Sequence, residues 1–280
     1  MGKKTVPAQD PADYADYMEK LYLSDPLQDP LLRRVIGSIG LPKGSRGLDA
    51  GCGVGLQIPP LAEAVGRRGH VTGLDIRPEF LEEADRNVRA WGLGERVSLV
   101  HGDIYDPPFR DRELDWIWSS SCACYSMSRP LRLLEGFRRI LKPGGLLLIV
   151  IWSGQQLLPG YPRLEAILNS TAAGIAPFAR RDRPEHHFLR LTGWLRKTGF
   201  VEVAAEPFSE GVCAPFDRQI RDALLALIEM RWPSAEGELS RTDSELYRRI
   251  TDPASSEFIL DQPDYYGFYT YTLFRARSPD

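Results

Sequence analysis

Leu48–Gly55 reads LDAGCGVG, with glycines at 51, 53 and 55 behind Asp49. Alternating glycines allow positive φ and carry no side chains, so another group can press against the backbone. Arg46–Ala50 ahead of them reads as a strand, and the turn leads to a helix whose first N–H groups lack partners. Pro59 and Pro60 make that helix start late, because proline is tolerated only in a first turn. Such a turn can hold a pyrophosphate, a nucleoside sulfonium or only a neighbouring strand.

Outward from the turn, apolar β-rich runs alternate with helical patterns, as a parallel sheet with crossover helices requires. HVTGLDI is the second strand, followed by a helix from Pro78 to Trp91. RVSLVHGDI and LDWIWSS are the third and fourth strands, and Trp116 and Trp118 share one buried face of the fourth. A helix near 131–141 passes through KPGG into the fifth strand, LLLIVIW. After Trp152 the rhythm breaks, with a helical piece near 163–173. LTGWLRKTGF then restores a helix before VEVAAEPF, and GFYTYTLFRAR closes the chain as a strand. Between those two strands, DRQIRDALLALIEM and TDSELYRRI have helical spacing, as do two stretches at 12–23 and 28–39.

The glycine spacing separates two nucleoside-binding readings. A dinucleotide turn wants G-x-G-x-x-G, whereas this chain has G-x-G-x-G headed by a carboxylate. Asp49 does not help a pyrophosphate, but it favours a ligand carrying ammonium and sulfonium charge. Asp75 ends the second strand, where an acid accepts hydrogen bonds from ribose hydroxyls in either reading. Asp103, after the third strand, is placed for an adenine amino group.

Taken in order, LDAGCGVG, VTGLDI, HGDIYDPPF, LDWIWSS and LKPGGLLLIVIW resemble the class I S-adenosylmethionine-dependent methyltransferases. The resemblance covers residues 40–152 in motif detail, and 190–210 with 265–277 in layout. It implies a Rossmann-like, seven-stranded, mostly parallel sheet with helices on both faces and an antiparallel last strand. It also implies S-adenosyl-L-methionine as cofactor, with Asp49, Gly51, Gly53 and Gly55 bordering the methionine part. Asp75 would hold the ribose, with Ile76 beside the adenine. Asp103 would meet the adenine amino group and Ile104 N–H a ring nitrogen. Ser119 and Ser120 would lie near the methionine moiety. Tyr14, Tyr17 and Tyr22 either pack the first helix or close over the cofactor.

One methyltransferase domain over 1–280 is expected. It comprises an N-terminal helical segment (1–40), a cofactor-binding core (41–152) and two insertions, 153–190 and 212–262, forming a substrate lid. Tyr161, Phe178, Trp232, Tyr247, Tyr265 and Tyr266 suit a compact, largely apolar or aromatic acceptor. His186, His187 and Tyr125 are candidate catalytic groups, and the histidines compete with surface or capping roles. SSSCACY lacks the Asn/Asp-Pro-Pro-aromatic motif of many amino methyltransferases, and a net charge of -3 gives no reason to expect nucleic acid. Cys122 and Cys124 form half of a metal motif without a second pair, so no metal is expected. Four cysteines in 280 residues are too few for a disulfide framework, and no apolar run is long enough to span a membrane. The cytoplasm is the expected compartment. A methyltransferase acting on protein or RNA, a noncatalytic cofactor-binding partner and a nicotinamide oxidoreductase remain the alternatives.

Overall fold

A computed structural model of the chain describes residues 11–125, 129–175, 185 and 187–280. Its centre is a seven-stranded sheet in the order β3-β2-β1-β4-β5-β7-β6. The strands are β1 (Arg46–Ala50), β2 (His70–Asp75), β3 (Val97–His101), β4 (Leu114–Ser120), β5 (Leu141–Gln156), β6 (Val201–Cys213) and β7 (Tyr266–Arg277). β1 to β5 pair in parallel, while β7 runs antiparallel to both β5 and β6. Parallel neighbours need crossovers, and α2 (Ile58–Val65), α3 (Pro78–Ala90) and α4 (Pro130–Ile140) supply them. This is the Rossmann-like α/β sheet that the sequence implied.

The period-two alternation of the strands divides the core between the two sheet faces. On one face Trp116, Trp118, Leu148 and Val150 meet α1 (Pro11–Ile39), α2 and α8 (Arg218–Arg231). On the other, Ile117, Leu147 and Ile149 meet α4 and α7 (Leu191–Lys197). Trp116 Nε1 donates to Ser45 Oγ at 2.9 Å, whereas the buried Trp118 Nε1 has no such partner.

Two expectations are corrected. The helical stretches 12–23 and 28–39 form one continuous helix, α1, with Pro26 and Pro30 inside it. Gln28 Nε2 donates to Ser24 Oγ (2.9 Å), and the Tyr269 hydroxyl donates to the Leu27 carbonyl, so side chains satisfy polar groups around the prolines. Burial of Leu27, Leu31, Leu32, Val35 and Ile36 holds the C-terminal half in place against proline's cost. The fifth and sixth strands also outrun their apolar patterns, because each pairs with the long β7.

The 212–262 insertion is built into the core. Trp232, Tyr247 and Tyr265 lie in the same apolar layer as α1. Asn169 Oδ1, on α5 (Pro162–Ser170), which the short α6 (Ala172–Ile175) follows, accepts from Gln155 Nε2 (2.9 Å), Arg231 Nη2 (2.9 Å) and Trp232 Nε1 (3.0 Å). That network ties the end of β5, the 153–175 segment and α8 together. Among the described residues no helix is long and apolar enough to cross a membrane.

Candidate active site

The sheet order reverses between β1 and β4, and ligands of open α/β sheets sit outside the strand carboxyl ends at such a point. The LDAGCGVG turn leaves β1 there, anchored by Gly51 N and Cys52 N donating to the Leu74 carbonyl at 2.8 and 3.0 Å. Gly51 has φ of 78°, and a Cβ on it would lie 2.2 Å from Cys122 Sγ. What presses on the first glycine is therefore the loop after β4. Gly53 has φ of 54° and nothing within 4 Å of its missing Cβ, so its face stays open. Gly51→Ala is accordingly expected to destabilise the fold by about 2 kcal/mol or more, from strained φ plus the clash. Gly53→Ala should cost less stability, and urea unfolding of the two variants compares them directly.

The open face borders a cavity of about 270 Å³, walled by the turn, Asp49, Asp75, Ser120, Ser121 and Cys122, with α1 as its roof. Asp75 is fixed by two backbone donors, Gly53 N to Oδ2 (2.9 Å) and Arg77 N to Oδ1 (3.0 Å). Asp49 is 1% exposed, and its Oδ2 has no hydrogen-bond partner. Burial, with the nearby Asp75 charge adding to it, raises the Asp49 carboxyl to about 8. From α1, Asp25 joins the wall, and no Lys, Arg or His is among the described lining residues. A buried acid with an unpartnered oxygen, in a wall whose charged side chains are all acids, fits a cationic ligand.

α1 also contributes Tyr17, Leu21, Gln28 and Leu32 to this cavity. The Tyr17 ring stacks on Phe80 (centroids 6.1 Å apart), and its hydroxyl is pushed up by burial and by the neighbouring Cys122 and Asp75 charges. Tyr22 donates to Glu83 Oε1 at 2.7 Å, and Asn87 Nδ2 bonds both the Tyr22 hydroxyl (2.6 Å) and the Val54 carbonyl (2.9 Å). Tyr22 thus clamps α1 to α3 and the glycine turn. The Tyr14 side chain lies outside what is described. Tyr17 and Phe80 line a second chamber as well, about 990 Å³, between α1, the start of α3 and the helices α8 and α9 (Arg241–Thr251). Its wall includes Leu225, Ile228, Trp232 and Tyr247.

Ile76 is 52% exposed just past Asp75, and its carbonyl meets His101 Nε2 at 3.1 Å. Gly102 N donates to the Asp75 carbonyl at 3.0 Å, so Ile76 and the Asp103 segment are neighbours. Asp103 Oδ1 accepts from Tyr105 N at 2.8 Å, and Ile104 is buried. These three residues are outside the cavity wall. So is Ser119, whose hydroxyl donates to Ala50 O (2.7 Å) and accepts from Ala123 N (3.0 Å), locking β4 to β1. Ser120 lines the cavity.

Of the candidate catalytic groups, His186 lies outside the described residues. His187 caps the short helix Phe188–Arg190, its Nδ1 accepting from Leu189 N at 3.2 Å. Burial and the Arg190 charge lower its pKa. Tyr125 stands within electrostatic reach of Arg231 and Tyr17, and burial raises its hydroxyl to about 12. Cys122 rises to about 12, and burial pushes Cys124 up further, so both are protonated thiols at neutral pH. No cluster of metal-ligating side chains occurs among the described residues. Cys124→Ser is expected to leave cofactor affinity intact without stoichiometric zinc in the purified protein; elemental analysis checks the second point.

The sheet order, the glycine turn and the acid-walled cavity define a nucleoside-binding α/β protein of the methyltransferase type. Residues 48–149 match a family model described as a methyltransferase domain. The chain is 28% identical over 194 residues to demethylmenaquinone methyltransferase of Staphylococcus aureus, covering 65% of this chain and 78% of that protein. It superposes on the YcgJ protein of Bacillus subtilis with a TM-score of 0.54 at 16% identity, covering 90% of this chain and 99% of that one. Against Haemonchus contortus phosphoethanolamine N-methyltransferase 2, solved in complex with S-adenosyl-L-methionine, the TM-score is 0.52 at 18% identity, covering 89% and 52%. Residues 48–149 thus match a methyltransferase domain, and the sheet that holds them has the fold of S-adenosylmethionine-dependent methyltransferases.

Proposed function

We propose that this methyltransferase acts on a small, partly apolar or aromatic molecule. The observation that carries the reading is the chamber of about 990 Å³, where Tyr17, Phe80, Trp232 and Tyr247 stand among the charged Asp16, Lys20, Arg77, Glu229 and Glu236, and which shares Tyr17 and Phe80 with the glycine-turn cavity. The likeness to an enzyme named for demethylmenaquinone supports an apolar acceptor class. The chain is read as one domain, with the segment 1–40, the core 41–152 and the insertions 153–190 and 212–262 enclosing the acceptor.

S-adenosylmethionine supplies an electrophilic methyl group on a sulfonium whose leaving group is a neutral thioether. The residues suited to hold it are Asp75 at the ribose hydroxyls, Ile76, Asp103 and Ile104 around the adenine, and Asp49, Gly51, Gly53, Gly55 and Ser120 at the methionine part. Ser119 supports that wall from behind through its bond to Ala50. α1, held down by Tyr22, keeps water from the reacting centre, and Tyr17 separates the two compartments. Alignment of acceptor, methyl and sulfur within a closed site provides most of the acceleration such a displacement needs. A base is required only where the acceptor must lose a proton, as a hydroxyl does.

Labelled methyl transfer from S-adenosylmethionine to a panel of hydroquinones and phenols, with bulk tRNA and protein alongside, tests the reading. Label in the small phenolic acceptors is the expected result. Label confined to RNA or protein would reject the proposed acceptor class.

A further inference from the structure

Three carboxylates from three elements face the cavity: Asp25 of α1, Asp49 of β1 and Asp75 of β2. Asp75 is committed to Gly53 N and Arg77 N. Two other acceptors in this wall lack donors. Asp49 Oδ2 and Gln57 Oε1 are both buried without a hydrogen-bond partner. Arg33 is the cation that acts on Asp25, but it is already engaged by Asp29 (2.7 Å) and Glu63 (3.5 Å). The remaining titratable groups facing this space are Tyr17, Cys52 and Cys122, and burial raises all three away from neutrality. Whatever enters must bring donors and positive charge of its own.

We propose that Asp25 acts with Asp49 as the charge selector of this cavity, favouring the sulfonium cofactor over its thioether product and releasing protons as the cofactor enters. The proposal rests on S-adenosylmethionine occupying this cavity. Geometry brings the two acids to one cavity, and burial sets the protonation of each. Asp49 is raised to about 8 by burial and by Asp75, and Asp25 to about 6 by burial and Asp29, with Arg33 opposing. Near neutral pH, Asp49 therefore carries a proton until a cation arrives, and that proton passes to solvent as the cation binds. On transfer, the electron pair of the S–CH3 bond stays on sulfur, the methyl carbon bonds the acceptor atom, and the cavity loses one positive charge. The carboxylates then face the ammonium group alone. Repulsion between Asp49 and Asp75 then favours taking a proton back from solvent, which loosens the product.

The sign follows from the raised values. Below the Asp49 value a binding cation must displace a proton, so cofactor affinity climbs as pH rises toward about 8 and then levels. The thioether product, with one cationic centre fewer, gains less. Calorimetry on the full chain, with S-adenosylmethionine and S-adenosylhomocysteine in buffers of different ionisation enthalpy, reads both effects. In the wild type, cofactor binding near neutral pH should release roughly one proton more than product binding. The ratio of the two affinities should rise about fiftyfold between about pH 6 and 8. Asp49→Asn should lower the proton count near neutral pH, Asp25→Asn should lower it near pH 6, and each should flatten the ratio in its own range. The ligands' own amino groups titrate alike in every variant and drop out of the difference. Equal proton counts for both ligands in the wild type, or Asn variants that weaken both ligands equally, would overturn the selector while leaving the cofactor assignment standing. Failure of the wild type to bind either ligand would overturn the assignment itself. Should one Asn variant not fold, the other supplies the difference from the wild type that decides.

Discussion

Asp75→Ala is expected to weaken S-adenosylmethionine binding by about a hundredfold or more, and by more than Asp103→Ala does. A ribose-binding carboxylate loses two charge-assisted hydrogen bonds, each contributing roughly 1.5–3 kcal/mol. The structure adds a second loss, because the same oxygens fix the N–H groups of Gly53 and Arg77 and so shape the open face of the turn. Asp103 is exposed and holds only Tyr105 N, so its removal leaves the turn intact. Calorimetry on folded variants provides the comparison, and unchanged affinity in Asp75→Ala would remove the ribose assignment.

Trp232→Ala should destabilise the protein by about 3–5 kcal/mol, the range for emptying a large buried aromatic site. Trp232 is 2% exposed and joins α8 to Asn169 through its indole N–H. It also lines the larger chamber. Acceptor turnover should therefore fall further than cofactor affinity, since the glycine-turn wall does not include Trp232. Trp232→Phe should restore most of the stability without the hydrogen bond. Denaturant midpoints measure the first effect, and a split between turnover and S-adenosylmethionine affinity measures the second. Excising 212–262 would be a poor substitute, because α8 carries part of the packing that holds α1.

The parts of this molecule legible in the sequence are those with local causes. The strands of the sheet centre announce themselves by continuous apolar runs, and the glycines by a spacing no ordinary strand end needs. Asp75 was placed by its position at the end of β2. Other features depend on contacts between distant segments. Pro26 and Pro30 argue for a break at α1, and only tertiary burial together with Ser24, Gln28 and Tyr269 overrides them. Gly51 lines the cavity, and its missing Cβ also makes room for Cys122, 71 residues further along. Asp25, Gln28 and Gln57 entered no sequence reading, since nothing around them forms a motif. The helical spacing that makes 12–23 and 28–39 amphipathic was the available signal that α1 would cover something. His187 shows the reverse case, a residue type suited to catalysis that spends its ring nitrogen on a helix cap.

Central to the account is that the carboxylate-walled cavity beside Gly53 holds S-adenosylmethionine. Isothermal titration of the wild-type chain with S-adenosylmethionine, repeated in the presence of S-adenosylhomocysteine and of NAD, tests this most directly. The account predicts one cofactor bound per chain, competition by S-adenosylhomocysteine and indifference to NAD. Saturable binding of NAD, with no heat from S-adenosylmethionine, would contradict it.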